Sequence, residues 1–182
     1  MADRGTNPKD AALLPGVTLR ALQLHRDQRG DLTEVFRNAW EATPIPQQWN
    51  VVRSNPNSLR GIHVHTKHWD YVCVLTGHLV VGLHDLRAEV RRAATLHLEA
   101  DHPQVLSIPP GVAHGFYSLD ATVILVGASG YHDPSDHRRC RWDCPELGLD
   151  WPCSAPTLSD GDAHAGGYAA LQAELRAATA GA

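Results

Sequence analysis

Twelve histidines are spread over 182 residues, and a few of them have the spacing that proton transfer or metal ligation requires. In Gly61-Ile62-His63-Val64-His65 two imidazoles stand two residues apart, and on an extended strand such residues share a face. Asp70 follows downstream, and His114 closes the segment Pro109-Pro110-Gly111-Val112-Ala113-His114. An imidazole titrates near neutrality, so one ring backed by a carboxylate can act as a general base. Several neutral imidazoles with a carboxylate are equally a ligand set for Fe, Mn, Ni or Zn. The residue types leave both chemistries open.

Short strands must carry these side chains. Over residues 17–126 the chain breaks into β-type runs separated by turn residues, with no long amphipathic helix between them. Such a series forms a sandwich or a barrel. Runs 72–75 and 79–83 flank Thr76-Gly77-His78 and predict a hairpin, and the largely β-branched run 122–126 is of the kind that crosses a core. The expected helix covers 168–178, rich in Ala, Leu and Glu. The expected organisation is a flexible segment over 1–16, one barrel domain over 17–163, and a C-terminal helix and tail over 164–182.

A chain of this length suffices for one sizeable core. Its formal charge of -4, without clustered Lys and Arg, argues against nucleic acid as a partner. No stretch approaches the ~20 apolar residues of a membrane span, and the N-terminus lacks the apolar core of a signal peptide. A cytoplasmic protein with no membrane partner is expected, with Cys73, Cys140, Cys144 and Cys153 as free thiols.

His63-x-His65, Asp70, Gly77 and Pro109-x-Gly111 with His114 resemble the two motifs of the cupin superfamily, Asp70 standing where Glu is usual. Further segments narrow the resemblance. Asp27-Gln28-Arg29-Gly30 with Glu34 and Phe36, Gln48-Trp49-Asn50, Ser58-Leu59-Arg60-Gly61-Ile62-His63, Asp85-Leu86-Arg87, the run from Ile108 to Phe116, and Leu158-Ser159-Asp160-Gly161-Asp162 are similar in order and type to the dTDP-4-dehydrorhamnose 3,5-epimerase family. The resemblance covers roughly residues 25–163. It implies an all-β fold, a cupin or double-stranded β-helix jelly-roll barrel with a short C-terminal helix. It also implies a homodimer that works without a metal cofactor, as an isomerase or epimerase of a nucleotide-linked 4-keto-6-deoxy sugar in deoxysugar or secondary-metabolite biosynthesis. Carried over by residue, His63 is the base and Asp162 the carboxylate that orients and charges it. Arg60 and His114 hold the diphosphate and the sugar, a guanidinium being suited to bidentate phosphate contact. Arg29, Glu34, Gln48 and Asn50 help to form the nucleotide end of the pocket.

At four positions the chain departs from the family. Its active-site Lys is replaced by Asp70, the Asp accompanying that Lys by Val81, and the Gln two residues after the base by His65. Its Tyr acid, which returns a proton on the opposite face, aligns with Val126. In the alternative reading these changes make His63, His65, Asp70 and His114 a metal-binding set with Fe, Mn, Ni or Zn as cofactor. His63 is then a ligand rather than a free base, and metal-assisted isomerisation, lyase or oxygenase chemistry replaces the pair. Tyr117 and Tyr131 are the candidates to replace the acid, although alternation points Tyr117 away from the face shared by His114 and Phe116. His25, His78, His84, His97, His102, His132, His137 and His164 are expected at the surface or in turns.

Overall fold

In the computed structural model residues 13–40, 44–87 and 92–180 are described. In chain order the strands are β1 (Thr18–Ala21), the hairpin of β2 (Leu24–Asp27) and β3 (Gly30–Thr33), β4 (Gln48–Ser54), β5 (Ser58–Val64), β6 (Asp70–Thr76), β7 (His78–Asp85), β8 (Arg92–Glu99), β9 (Gln104–Ile108), β10 (Val112–Ser118), β11 (Thr122–Ala128) and the two-residue β12 (Arg138–Arg139). Two helices follow, α1 (Asp160–Ala163) and α2 (Tyr168–Ala180). One five-stranded sheet has the order β1-β9-β6-β11-β4 and the other β12-β5-β10-β7-β8. All their pairings are antiparallel. The two sheets face each other as a jelly-roll barrel.

Alternation along the strands builds the interior. Val72 and Val74 of β6, Leu106 and Ile108 of β9 and Ile124 of β11 meet Leu79, Val81 and Leu83 of β7, Leu98 of β8 and Val112 and Phe116 of β10 in one buried cluster. Each such side chain contributes about 1.5–3 kcal/mol relative to exposure. Leu14 is buried in the same cluster. The Pro15 carbonyl accepts from Arg87 Nη2, and residues 1–12 of the segment expected to be flexible lie outside the described residues.

The hairpin expected around Gly77 does not form. β6 pairs with β9 and β11, and β7 with β8 and β10. The tight turn at Gly77, with φ +81, carries the chain from one sheet to the other. A β-carbon there would lie 2.5 Å from the Ala121 carbonyl, which excludes larger residues.

The outer face of the second sheet is covered. Ile62 and Val64 of β5 bury against Leu147, Cys140 and the Tyr168 and Leu171 side chains of α2, so the helix is seated on the barrel rather than appended to it. His84, expected at the surface or in a turn, is 1% exposed within this seat. Its Nδ1 donates to the Leu147 carbonyl at 2.7 Å, which leaves Nε2 to accept from the Tyr168 hydroxyl at 3.1 Å. All four cysteines are free thiols. Among the described residues no helix is long and apolar enough to cross a membrane.

Candidate active site

Antiparallel pairing sets His63 on β5 directly opposite His114 on β10, and the register shifts between His114 and Gly115. Gly61, at φ +122, makes that irregularity feasible, because a β-carbon would lie 2.8 Å from both the Gly115 α-carbon and the His114 carbonyl. Beyond it, Ile62 and Val64 point out to the helix seat while His63 and His65 line the barrel interior. His114 and Phe116 line it from β10. Tyr117 points the other way, into a cluster with Leu59 and Val80, and its hydroxyl donates to Asn57 Oδ1 at 3.0 Å.

The interior contains a cavity of about 240 Å³. Its lining is polar at His63, His65, Asp70, His114 and Asp162 and apolar at Val52, Phe116, Ile124 and Val126, of which Val52, Ile124 and Val126 belong to the first sheet. Arg60, Arg139 and Ser159 complete the lining. Arg60 is held by Ser54 Oγ at 2.9 Å and the Arg53 carbonyl at 3.1 Å.

His63 Nε2 and Asp162 Oδ1 are 2.7 Å apart. Asp162 is fixed in turn. Ser159, the N-cap residue of α1, donates from Oγ to Asp162 Oδ2 at 2.9 Å and accepts from the Asp162 backbone N–H, a local capping arrangement. Burial would raise the Asp162 carboxyl, but the hydrogen bonds from His63, Ser159 and the Gly61 N–H hold it below the usual carboxylate range. It is therefore a carboxylate at neutral pH, and a carboxylate only accepts, so His63 Nε2 bears the proton that is donated to it. Nδ1 then carries the lone pair, the state a general base requires.

A second group lies alongside. Asp70 Oδ2 is 3.6 Å from His114 Nε2 and 3.9 Å from His65 Nε2, while Asp70 Oδ1 is 3.6 Å from His68 Nε2. Burial pushes His65 and His114 down to about 4 each. Burial would raise Asp70, but His68, His114 and His65 keep it below the ordinary carboxylate value. At neutral pH the buried rings of His65 and His114 are uncharged beside an ionised carboxylate. The four residues expected together around a metal therefore separate into two groups. His65, Asp70 and His114 bring their ligand atoms within 4.8 Å of one another, and His63 is not among them.

The remaining sequence candidates fall outside the cavity. Arg29 pairs with Asp27 and its side chain is 89% exposed, and Glu34 pairs with Arg37. Within one chain both carry surface ion pairs. Gln48 and Asn50 lie on β4 four and two residues before Val52, on the face that alternation shares with it. They bond each other at 3.3 Å, and Gln48 Oε1 accepts from the His132 N–H. Tyr131 is 73% exposed.

Sequence reasoning missed the segment that buttresses the histidines. Asp136, fully buried at the end of a 3-10 turn over Pro134–Asp136, accepts from the Thr66 and Lys67 N–H groups and from Arg138 Nη1. Its own carbonyl accepts from His65 Nδ1 at 3.1 Å. His137, expected at the surface, has its ring centroid 4.5 Å from that of His63 and 5.2 Å from that of His65. Burial drives it down to about 4, and its Nε2 is buried without a hydrogen-bond partner among the described residues. Arg139 Nε lies 3.5 Å from Asp162 Oδ1. Only the Ser-x-x-Asp spacing of Ser159 and Asp162 was a readable local signal.

Comparison with known proteins accords with this geometry. The chain is 31% identical over 146 residues to the spore coat polysaccharide biosynthesis protein SpsL of Bacillus subtilis, covering 76% of this chain and 97% of that one. It superposes with a TM-score of 0.79 on the dTDP-6-deoxy-D-glucose-3,5-epimerase RmlC of Legionella pneumophila bound to dTDP-4-keto-L-rhamnose, at 27% identity, covering 87% of this chain and 91% of that one. It superposes equally well, at 25% identity and 88% and 87% coverage, on ChmJ, a 3'-monoepimerase of Streptomyces bikiniensis bound to dTDP-quinovose. The model of one family, dTDP-4-dehydrorhamnose 3,5-epimerase, matches residues 11–169, and the chain belongs to that family.

Proposed function

We propose that this chain is an epimerase of a nucleotide-linked 4-keto-6-deoxy sugar, serving deoxysugar or secondary-metabolite biosynthesis, in which His63 removes the proton α to the ketone. The observation that carries the reading is the 2.7 Å contact of His63 Nε2 with a buried, ionised Asp162 at the wall of the barrel cavity. The carboxylate sets the tautomer that leaves Nδ1 as the base and stabilises the imidazolium formed when the proton transfers. This chemistry requires no metal. Arg60 and Arg139 supply guanidinium groups at the cavity for the diphosphate, and His114 lies opposite His63 to contact the sugar. The nucleotide sugars bound in the Legionella and Streptomyces structures support the substrate class.

The wall of Val52, Ile124 and Val126 offers no proton donor. The direct test is therefore to incubate the protein with a dTDP-linked 4-keto-6-deoxy sugar in D2O and follow C3 and C5 by NMR. The proposal expects deuterium at C3, C5 or both, with the product's coupling constants reporting which centre inverts. No incorporation with several such sugars would reject it. A cytoplasmic twofold homodimer belongs to the same proposal. The association of two copies is supported by Trp49 and Val51, exposed at 41% and 52% on the edge strand β4. A single-chain mass in sedimentation equilibrium would overturn it.

A further inference from the structure

Beside the His63–Asp162 pair, ligand-type atoms from both sheets converge: His65 immediately after β5, Asp70 at the start of β6 and His114 within β10. The distances from Asp70 Oδ2 to the two Nε2 atoms, 3.6 and 3.9 Å, exceed hydrogen-bond reach. The other nitrogen of each ring is committed. His65 Nδ1 donates to the Asp136 carbonyl at 3.1 Å and His114 Nδ1 to the Val112 carbonyl at 3.2 Å. A carbonyl only accepts, so Nδ1 bears the proton in both rings and Nε2 of each neutral imidazole is a lone pair. Two lone pairs and a carboxylate oxygen thus face one another, an arrangement that a shared cation stabilises. Carbonyl anchoring of the distal nitrogen is also the arrangement that orients metal-ligating histidines.

We propose that His65, Asp70 and His114 bind one divalent first-row transition-metal ion, with His63 outside the ligand set. Two imidazoles and one carboxylate suit such an ion and leave coordination positions for oxygen donors of a molecule in the cavity. Metal–ligand bonds of about 2.0–2.1 Å put adjacent ligand atoms about 3.0–3.4 Å apart, so the two rings need only a modest inward shift toward Asp70. Asp70 is well placed for this, since His68 faces its other oxygen at 3.6 Å.

A rival grouping of His65, His68 and Asp136 also has its ligand atoms within 4.8 Å of one another. The Asp136 carboxylate, however, already accepts from two backbone N–H groups and from Arg138, and the His65 Nδ1 lone pair is lost to the carbonyl bond. Base and ion are therefore compatible. His63 keeps its carboxylate partner while the ion supplies a Lewis acid for a carbonyl oxygen. That last role rests on the proposed function, whereas binding of the ion does not.

The test is titration of chelator-treated full-length protein with Co2+, read by its visible absorption, and with Zn2+ in competition. One ion per chain is expected. His65→Gln and Asp70→Asn should weaken binding by about a hundredfold or more, Asp70→Glu should retain part of it, His68→Gln, which removes only the group facing the other Asp70 oxygen, should cost less than either ligand variant, and His63→Asn should bind as the wild type does. Absence of stoichiometric Co2+ binding by the wild type overturns the proposal whether or not the variants fold. Binding that survives Asp70→Asn but is lost in His63→Asn or His68→Gln overturns the ligand set. No Co2+ binding with proton exchange intact removes the ion site alone, and one Co2+ per chain without exchange on any sugar removes the proton-transfer reading alone.

Discussion

Replacing Asp162 by Asn changes one charge and little else. The Ser159 hydroxyl and the Gly61 N–H both donate to Oδ2, so the amide must keep its oxygen there and turn its NH2 toward His63. An NH2 donates, which forces His63 Nε2 to accept and moves the ring proton to Nδ1, the atom that has to take the substrate proton. The variant loses in two ways. A carboxylate about 4 Å from the imidazolium charge contributes about 4 kcal/mol at an effective dielectric of about 20, roughly a thousandfold in rate. Solvent screening does little to reduce this, since the two side chains are only 18% and 5% exposed. The wrong tautomer acts in the same direction, costing about 10⁴ in a serine-protease triad. Wash-in of deuterium from D2O into a dTDP-linked 4-keto-6-deoxy sugar, followed by NMR under saturating conditions, should slow by about 10³ or more. Affinity for dTDP and the urea midpoint should stay near the wild-type values, because the Ser159 and Gly61 donors remain satisfied. Exchange within about tenfold of the wild type would refute the orienting and charging role of the carboxylate.

Other outcomes follow from the supporting structure. Asp136→Ala strips the acceptor from two backbone donors and from Arg138, itself only 15% exposed; urea unfolding should show a loss of about 3–5 kcal/mol, and a loss below about 1 kcal/mol would contradict its buttressing role. Gly82→Ala places a methyl 2.7 Å from the Trp151 ring, whose N–H is tied to the Trp142 carbonyl at 3.2 Å, so about 1–3 kcal/mol of stability should be lost and an unchanged midpoint would contradict tight packing there. Asp136 and Asp162 both have folded values below the ordinary 3.8, so their contribution is complete above about pH 5 and drains away as pH falls through those lowered values. Acid unfolding of Asp136→Asn should accordingly show a shallower slope below pH 4 than the wild type, and an identical slope would count against the assignment.

The part of the site built by strand periodicity was legible in the sequence. His63 and His65 share a face because they are two residues apart, and the same alternation sent Tyr117 outward, away from His114 and Phe116. Long-range pairing was not legible. The turn chemistry of Thr76-Gly77-His78 suits a hairpin, but strand order is decided by partners distant in sequence, and these put β6 and β7 in different sheets. Residues 133–139 have no periodic pattern, and the pairing of Arg138 with Val64 and Arg139 with His63 brings Arg139 to the cavity and sets the His137 ring against those of His63 and His65. His84 looked like a surface histidine because its partners, the Leu147 carbonyl and Tyr168, are more than sixty residues away. Separation of the four expected metal ligands into two groups depends on where Asp162 lies, which spacing around His63 cannot reveal.

Comparing His63→Asn with the wild type for deuterium incorporation from D2O, in the presence of a chelator and at matched dTDP-sugar occupancy, probes the central assignment most directly. Incorporation by the wild type and its loss in a variant that still binds dTDP is the predicted result. Undiminished incorporation by His63→Asn would contradict it.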